Sequence, residues 1–333
     1  MSGTKLRTAF AGFQHNHLYQ IYEMAVKNQR IQIAGCWEAS SEIRRQAKQK
    51  YQLEFSYDTY QHLLDDPATD IVVIGSYYSR RGQMAIEALR AGKHVFSDKP
   101  LCTTLNELSQ IEALAKEKGL CVGLMLDLRF HPHAACMKQL IENETLGKIH
   151  CVRFGGQHPL LFDSRPSWYF DPDKYGGVIN DIAIHGIDLI RYLTGLGVKE
   201  IAAARCWNAF SVQNTAFQDS GQLMLVLENN AGVIADVSYA SPDSFNYSMP
   251  CYWSFEFWGE KGMASFSYHS DGISLYCNGN RSVKIVKDHA PSSDCLADFI
   301  RQIEGEGHVV LPTQDVFAST RDTLRVQHAA DTV

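Results

Sequence analysis

The chain has 333 residues, of which 45% are hydrophobic and 20% charged, with a formal net charge of −6. These proportions are typical of a globular protein, and the length allows one large or two ordinary domains. The acidic balance, with no basic stripe, argues against binding to nucleic acid or to an anionic membrane surface. We find no run of about 18 apolar residues that could span a bilayer.

Nine cysteines are scattered through the sequence, and none forms a CxxC pair. An odd number without paired spacing argues against a disulfide framework or a zinc knuckle and indicates a reducing compartment. The segment from Met1 to Arg7 contains no apolar stretch of the kind that a secretory signal needs. We therefore expect a soluble, cytoplasmic protein.

The first third of the chain alternates apolar runs with helical patterns of about a dozen residues. The runs predict strands over residues 8–11, 31–37, 70–75, 93–96 and 121–124, with helices over 18–26, 41–51, 83–91 and 105–118. This alternation is typical of a doubly wound parallel sheet. We predict a Rossmann nucleotide-binding domain over residues 1–123.

The loop after the first strand is the expected phosphate site, because helix N-termini present N–H groups to anions. It reads Gly12-Phe13-Gln14-His15-Asn16-His17, so only the first glycine of GxGxxG is present. Hydrogen bonds from His15 and Asn16 could compensate; the alternative is that the loop binds nothing. Glu38 ends the second strand, where an acid binds a ribose diol and repels a 2′-phosphate. NAD is therefore favoured over NADP.

The fourth strand is followed by Ser97-Asp98-Lys99-Pro100. Ligands bind at the carboxyl ends of strands in open α/β sheets, so Lys99 is placed where a cofactor's reactive end would lie. A cation there can stabilise negative charge on a substrate oxygen. The alternative for a single lysine is a solvated surface charge.

The segment Gly176–Asp188 predicts a helix entered through a glycine pair. Positions i, i+4 and i+7 share one helical face, so Asp181, His185 and Asp188 would project together. A histidine flanked by carboxylates on an apolar helix is suited to proton transfer near neutral pH. The alternative is a core histidine satisfied by a neighbouring acid.

Four motifs, in this order, resemble the Gfo/Idh/MocA oxidoreductase family of inositol, sugar and dihydrodiol dehydrogenases. Residues 91–100 resemble its AGKHVxxEKP, with Asp for Glu, and residues 129–132 resemble its RFxP. Residues 146–149 resemble LGxI, and the stretch 168–188 resembles W…GGxxxDxxxHxxD. The resemblance covers nearly the whole chain.

The resemblance implies an NAD(P)-dependent dehydrogenase that moves hydride between nicotinamide and a secondary alcohol of a sugar, inositol or polyol. In that chemistry Lys99 would hold the substrate hydroxyl and His185 would accept its proton. Asp181 would bind a substrate hydroxyl or tune the histidine, and Asp188 could orient it. The predicted cofactor contacts are Gly12, Phe13, Gln14, His15, Glu38, Gly75, Ser76, Tyr77, Asp98 and Lys99. The predicted substrate contacts are Lys99, Arg129, Trp168, Tyr169, Asp181 and His185.

Where relatives read TPNxxH after the third strand, this chain has residues 76–81, Ser-Tyr-Tyr-Ser-Arg-Arg. We expect Tyr77 near the cofactor and Arg81 near the substrate mouth, which makes an acidic substrate plausible; the alternative is that Arg80 and Arg81 solvate a helix start.

The pairs His15/His17 and His131/His133 lack a nearby third ligand in sequence, so we expect no metal site.

Residues 124–312 predict an α+β domain with a mostly antiparallel sheet and helices on one face. Residues 313–333 predict a C-terminal helix that returns to the first domain. Many aromatic residues of the sheet suggest that its other face is covered by a partner subunit in a homodimer or homotetramer, as in relatives. The alternative is that they are core residues; they are Tyr239, Tyr252, Trp253, Phe255, Phe257 and Trp258.

Two other functions remain open at this level. A redox-neutral glycosidase or epimerase would retain NAD and oxidise its substrate only transiently. A non-catalytic sensor would bind NAD or a sugar without turnover, although a pure binder needs no proton acceptor.

Overall fold

The computed structural model describes residues 5–287 and 293–332, and the chain divides into two compact units. The first unit comprises Met1–Met125, Asp173–Tyr175 and Ser293–Thr320. The second comprises Leu126–Pro172, Gly176–Ser292 and Arg321–Val333.

The strands form two sheets, one in each unit. In chain order they are β1 (Leu6–Ala11), β2 (Ile31–Trp37), β3 (Ile71–Ile74), β4 (His94–Ser97), β5 (Val122–Leu124), β6 (Ile149–Pro159), β7 (Val198–Trp207), β8 (Ser220–Leu227), β9 (Gly232–Ser241), β10 (Trp253–Gly259), β11 (Gly262–Ser267), β12 (Ile273–Cys277) and β13 (Lys284–Val286).

The α-helices of the described residues are α1 (His17–Lys27), α2 (Ser41–Tyr51), α3 (Tyr60–Asp65), α4 (Tyr78–Arg90), α5 (Leu105–Lys118), α6 (Pro132–Glu142), α7 (Pro172–Tyr175), α8 (Ile184–Thr194), α9 (Cys295–Ile303) and α10 (Thr313–Asp331). In the first unit, the sequence patterns missed the helix α3 and placed the start of α4 near Gln83. The 6 residues of α3 give little periodicity to detect.

The first sheet is parallel, with strand order β2-β1-β3-β4-β5. This confirms the predicted doubly wound architecture. The chain leaves β1 toward β2 on one side and meets β3 on the other, so the switch point lies between β1 and β3. Ligands of open parallel sheets bind beyond the carboxyl ends of strands at this point.

Local sequence accounts for the helix ends that frame this sheet. Thr104 caps α5 by accepting a hydrogen bond from the backbone N–H of Glu107 at 3.2 Å. The Glu107 carboxylate accepts in return from the Thr103 N–H at 3.3 Å. Gly119 ends the helix in the left-handed conformation, with φ of 64°.

The second sheet has the order β13-β12-β11-β10-β6-β9-β8-β7 and is antiparallel except for the parallel pair β6–β9. Residues alternate in burial along its strands: Val233 and Ala235 of β9 are buried, whereas Ile234 between them is 54% exposed. Helix α8 packs on β6 and on α6, which covers one face of the sheet. The predicted α+β layer is confirmed.

The aromatic residues of β10 are mostly core residues, so their use as a sign of a partner subunit was wrong for most of them. Trp253, Phe255 and Phe257 point to the covered face and are at most 3% exposed. Only Trp258 in this run is substantially exposed, at 45%. Period-two alternation along the strand decides which of them face solvent.

Helix α9 lies in the first unit, although the sequence boundaries had placed it in the second domain. The ring of Phe299 packs against Phe96 of β4, with centroids 5.3 Å apart. At the start of α10, Thr313 Oγ1 exchanges hydrogen bonds with the backbone N–H and carbonyl of Val122, both at 3.0 Å. From Arg321 onward α10 belongs to the second unit.

All nine cysteines are free thiols in the structure. Across residues 5–287 and 293–332, none of the helices has both the length and the apolar character that crossing a membrane requires.

Candidate functional site

Asp98 lies at the carboxyl end of β4 and is fully buried. Its Oδ2 is 2.7 Å from Arg81 Nη2 and 2.5 Å from His15 Nδ1, and its Oδ1 is 3.0 Å from His17 Nδ1. Burial alone would raise the pKa of Asp98, but the Arg81 charge and the two histidines hold it well below its usual range. The carboxylate is therefore ionised and organises the groups around it.

Arg81 is completely buried, which corrects the expectation that it lies at a substrate mouth. Its Nε donates to the Ser76 carbonyl at 2.7 Å, and its Nη1 donates to the Lys99 carbonyl. The guanidinium donates hydrogen bonds to Asp98 and to these two carbonyls. The Ser76 carbonyl lies after β3, and the Lys99 carbonyl lies after β4. Its role is to neutralise Asp98 and to fix the backbone that carries Lys99.

Lys99 is only 4% exposed, so it is not the solvated surface charge of the alternative interpretation. Its ammonium Nζ lies 6.0 Å from the centre of the Tyr78 ring. The peptide bond between Lys99 and Pro100 is cis.

The tertiary structure brings a third side chain that could bind a metal, Asp98, next to the pair His15 and His17. The sequence could not show this, because Asp98 is far from the two histidines along the chain. Atoms of His15, His17 and Asp98 all lie within 4.8 Å of one another. However, both carboxylate oxygens already accept hydrogen bonds, and Arg81 places a buried positive charge on the same carboxylate. A divalent cation would have to displace these donors, so the arrangement favours a hydrogen-bonded network.

The loop after β1, which has only the first glycine of the phosphate-binding motif, is hydrogen-bonded to the segment after β3. Gly12 has φ of 82°, and a Cβ there would come within 2.9 Å of the Ser76 backbone nitrogen. Gln14 Oε1 accepts from the Tyr77 N–H at 3.1 Å and from Ser76 Oγ at 3.3 Å. The structure thus brings together the predicted cofactor residues of these two segments at the ends of β1 and β3.

Glu38 follows β2, and its carboxylate faces the same loop. Oε2 accepts from the Phe13 N–H at 2.6 Å, and Oε1 accepts from the Ser40 N–H at 2.8 Å. Burial raises the pKa of Glu38, although these hydrogen bonds oppose the shift. The Gln14 side chain and the Ala39 backbone also hydrogen-bond to this carboxylate, so four donors hold it against the loop.

In the second unit, Asp181 lies in a π-helical turn, Ile179–Ala183, that leads directly into α8. This turn changes the rotation per residue, so the i, i+4, i+7 argument does not hold across it. Gln327 Oε1 accepts from the N–H groups of Ile179 and Asn180 at 3.0 and 3.2 Å and caps the turn.

Asp181 and His185 each contact a residue from another segment of the second unit. The Tyr239 hydroxyl donates to Asp181 Oδ2. His185 Nδ1 lies 3.5 Å from Asp127 Oδ1, and its ring meets Trp253 edge to face with centroids 5.4 Å apart. Asp127 thus places a carboxylate beside the histidine, and nothing in its sequence context had singled it out.

Gly186, next to this histidine, allows α8 to approach β6 closely. A Cβ at this position would come within 2.3 Å of the Phe154 ring. The absence of a side chain therefore sets how near the His185 backbone lies to the sheet.

Asp188 forms a buried ion pair with Arg129. Arg129 Nε donates to Asp188 Oδ2 at 2.8 Å, and Nη2 donates to Oδ1 at 2.7 Å. Arg129 is 2% exposed and also lies 5.0 Å from the Tyr192 ring. This pairing engages Nε and Nη2 of Arg129, and the expected contact of Arg129 with substrate stays a prediction.

Trp168 and Tyr169 stack on each other with centroids 4.2 Å apart and are 8% and 2% exposed. The Arg165 guanidinium, which the sequence did not indicate, lies 4.8 Å from the Tyr169 ring and 5.1 Å from the Tyr239 ring. Tyr239 therefore contacts both Asp181 and Arg165, and Arg165 also contacts Tyr169.

Residues 6–125 match the family model described as an oxidoreductase family with an NAD-binding Rossmann fold, and residues 135–265 match the C-terminal domain model of the same family. The chain belongs to the GFO/IDH/MocA oxidoreductase family. Membership agrees with the parallel sheet of the first unit and the antiparallel sheet of the second.

Among relatives in this family, the chain is 28% identical over 220 residues to the uncharacterized oxidoreductase YrbE of Bacillus subtilis (strain 168). That match covers 65% of this chain and 60% of YrbE. It is 30% identical over 169 residues to a myo-inositol 2-dehydrogenase of Thermotoga maritima, covering 50% of this chain and 49% of the relative. The chain thus spans about half to three fifths of these relatives.

A solved structure of an NAD-binding protein from Listeria innocua has the same fold, with a TM-score of 0.80 and 18% identity. The superposition covers 99% of this chain and 98% of that chain.

Family membership and Glu38 together make the first unit suited to NAD. The acid offers acceptors to ribose hydroxyls, and its charge would repel a 2′-phosphate.

Proposed function

We propose that this protein is an NAD-dependent dehydrogenase that oxidises a secondary alcohol of a sugar, inositol or related polyol. The observation that carries the proposal is that this chain has both Lys99 and His185, and that neighbouring charged side chains hold each of them in place. Lys99 is backed by the Arg81–Asp98 pair, and His185 lies beside Asp127. The myo-inositol 2-dehydrogenase relative supports a polyol substrate.

In this proposal His185 takes the proton of the substrate hydroxyl as the carbon–hydrogen bond breaks and a carbonyl forms. Lys99 stabilises the negative charge that develops on the substrate oxygen. Asp181, fixed by Tyr239, accepts a hydrogen bond from a second hydroxyl of the substrate. Bound NAD supplies the hydride acceptor.

The cofactor residues have separate tasks in the same proposal. Gln14 and Gly12 shape the loop at the end of β1, and Glu38 receives the ribose hydroxyls. Because Glu38 is a buried acid, we propose NAD rather than NADP as the working cofactor.

The test is the appearance of reduced nicotinamide absorbance across a panel of sugars and polyols. Lys99→Ala and His185→Ala should each lower kcat by about 100-fold or more on every active substrate. Lys116→Ala and His62→Ala are matched controls, since both side chains are exposed on helices of the first unit. Parent-level activity of both site variants would overturn the assignment of the two residues.

The same panel separates the other two functions. A redox-neutral enzyme would convert substrate while the cofactor stays bound, with no net accumulation of reduced nicotinamide. A sensor would bind ligand without any turnover. Product analysis by mass spectrometry distinguishes these outcomes from net dehydrogenation.

We also propose that a second copy of the chain covers the open face of the second sheet. Large apolar side chains project from neighbouring strands on that face: Met224, Ile234, Trp258 and Tyr276 are 44–54% exposed. Light scattering after size exclusion should give a dimer or tetramer. Met224→Lys together with Ile234→Lys should shift the mass toward the monomer, whereas a monomeric parent would refute the proposal.

We place the protein in the cytoplasm, because nine free thiols are suited to a reducing compartment. Cell fractionation followed by detection of an epitope-tagged chain tests this location. Recovery of the protein in a periplasmic or secreted fraction would refute it.

A further inference from the structure

Arg165 differs from the two buried arginines Arg81 and Arg129. It lies between two short 3₁₀ turns, Phe162–Ser164 and Ser167–Phe170, and is half-buried. Its Nε donates to the Leu160 carbonyl at 2.9 Å, and its Nη2 donates to the Pro159 carbonyl at 2.8 Å. These two bonds fix the orientation of the guanidinium.

Two tyrosine rings flank the guanidinium and connect it to the candidate site. The carbon at its centre is 4.8 Å from the Tyr169 ring and 5.1 Å from the Tyr239 ring. Tyr239 also donates its hydroxyl hydrogen to Asp181. One aromatic side chain therefore contacts both the arginine and the carboxylate that we assign to a substrate hydroxyl.

Among the described residues Arg165 forms no close ion pair, although the Asp181 carboxylate is near enough to contribute to raising its pKa. Arg81 is paired with Asp98, and Arg129 is paired with Asp188. By contrast, none of the acidic side chains in the described part of the chain lies within 4 Å of the Arg165 guanidinium. An anion is thus the group that would complete its surroundings.

The geometry of the remaining donors selects the kind of anion. A guanidinium has about five N–H donors, and two of those on Arg165 are used by backbone carbonyls. The donors that remain include the fork between Nη1 and Nη2. This planar fork matches the two oxygens of a carboxylate.

We propose that Arg165 binds a carboxylate on the substrate, so that the preferred substrate is a polyhydroxylated ring acid of the uronate type. This inference rests on the proposed function, because the carboxylate would be anchored while Asp181 holds a ring hydroxyl of the same molecule. It replaces Arg81, which is buried, as the source of a preference for acidic substrates.

The experiment compares galacturonate with galactose and glucuronate with glucose, measuring kcat/KM for NAD reduction by the parent and by Arg165→Gln. We expect the parent to prefer each acid, and the variant to lose roughly 10- to 100-fold on the acids with little change on the neutral sugars. Arg153→Gln is the matched control, since Arg153 is an exposed arginine on the second sheet.

A binding measurement keeps the inference testable apart from turnover. With NADH present, galacturonate should raise the Tm of the parent more than galactose does, and Arg165→Gln should abolish that difference. Arg165→Lys, which keeps the charge but not the fork, should retain only part of it.

Turnover of neutral sugars with no acid preference in rate or Tm would overturn the role of Arg165 and leave the proposed dehydrogenase intact. Equal losses by Arg165→Gln on acids and neutral sugars would assign Arg165 to supporting the loop. Acid-specific Tm shifts without any reduction of NAD would instead overturn the dehydrogenase and keep the anion site.

Discussion

Arg129 and Asp188 form a two-bond ion pair in which both side chains are buried, with N–O distances of 2.8 and 2.7 Å. The sequence had suggested a substrate contact for Arg129 and an orienting role for Asp188, and the structure shows that the two side chains bind each other. It joins the short 3₁₀ turn Asp127–Phe130 to helix α8, which carries His185. The ion pair therefore fixes the helix that carries this histidine against the turn that carries Asp127.

Removal of one partner of this pair should destabilise the protein strongly. Asp188→Asn or Arg129→Met leaves a buried charge without its counter-charge, and we expect a loss of roughly 3–5 kcal/mol in the free energy of unfolding. The double variant Arg129→Met/Asp188→Leu should recover much of this loss. Urea unfolding monitored by tryptophan fluorescence measures it, and additive losses in the double variant would contradict the prediction.

Asp127 should influence proton transfer by His185. Asp127→Asn removes a negative charge 3.5 Å from Nδ1, which makes protonation of the histidine less favourable. The acid limb of the pH profile of kcat/KM should therefore move to lower pH. Asp163→Asn, at an exposed position, is the control; an unchanged acid limb in Asp127→Asn would exclude a direct influence.

Glu38 should set the choice of cofactor. Glu38→Gln keeps the side-chain shape but removes the charge that repels a 2′-phosphate, so the ratio of kcat/KM for NAD to that for NADP should fall by roughly 10-fold. Glu42→Gln, an exposed residue of α2, should leave the ratio unchanged. A parent that already prefers NADP would show that the acid does not contact the ribose.

His15 should make the stability of the fold depend on pH. Burial lowers the pKa of His15 from 6.5 to about 3, despite its contact with Asp98. The unfolded chain takes up a proton below pH 6.5 that the folded chain refuses until about pH 3, so stability falls as the pH drops through this range. One proton corresponds to a slope of at most about 1.4 kcal/mol per pH unit.

The measurement is chemical unfolding of the parent and of His15→Gln between about pH 7 and pH 4. Over the part of this range below pH 6.5, His15 is mostly protonated in the unfolded chain but neutral in the folded chain. The variant should show a shallower decline in the free energy of unfolding toward low pH. His62→Gln, at an exposed position, is the control. Equal slopes in parent and His15→Gln would mean that the buried histidine is protonated in the folded state.

The His15, His17 and Asp98 cluster should not require a metal. Since Arg81 and both histidines already bond to the carboxylate, we expect dialysis against EDTA to leave the Tm and the NAD affinity unchanged. Elemental analysis of the purified protein provides a second readout. A stoichiometric transition metal whose removal lowers the Tm would contradict the hydrogen-bonded network.

The sequence by itself determined the architecture, because each element carries its own local signal. The apolar run of β3 predicts a buried parallel strand, and Thr104 with Glu107 and Gly119 marks both ends of α5. Alternation in β9 likewise shows which of its residues face the core. These are effects of neighbours along the chain, so a pattern of residues suffices to predict them.

The partners of the polar side chains were decided only by the tertiary structure. Arg81 bonds to the residues after β4, Arg129 bonds to Asp188, and His185 lies beside Asp127. Each pair joins residues at least 17 positions apart. A charged side chain is long and can reach several partners, so no local pattern fixes its choice. Burial decides it, since a guanidinium or carboxylate withdrawn from water must be paired wherever packing brings an opposite charge within reach.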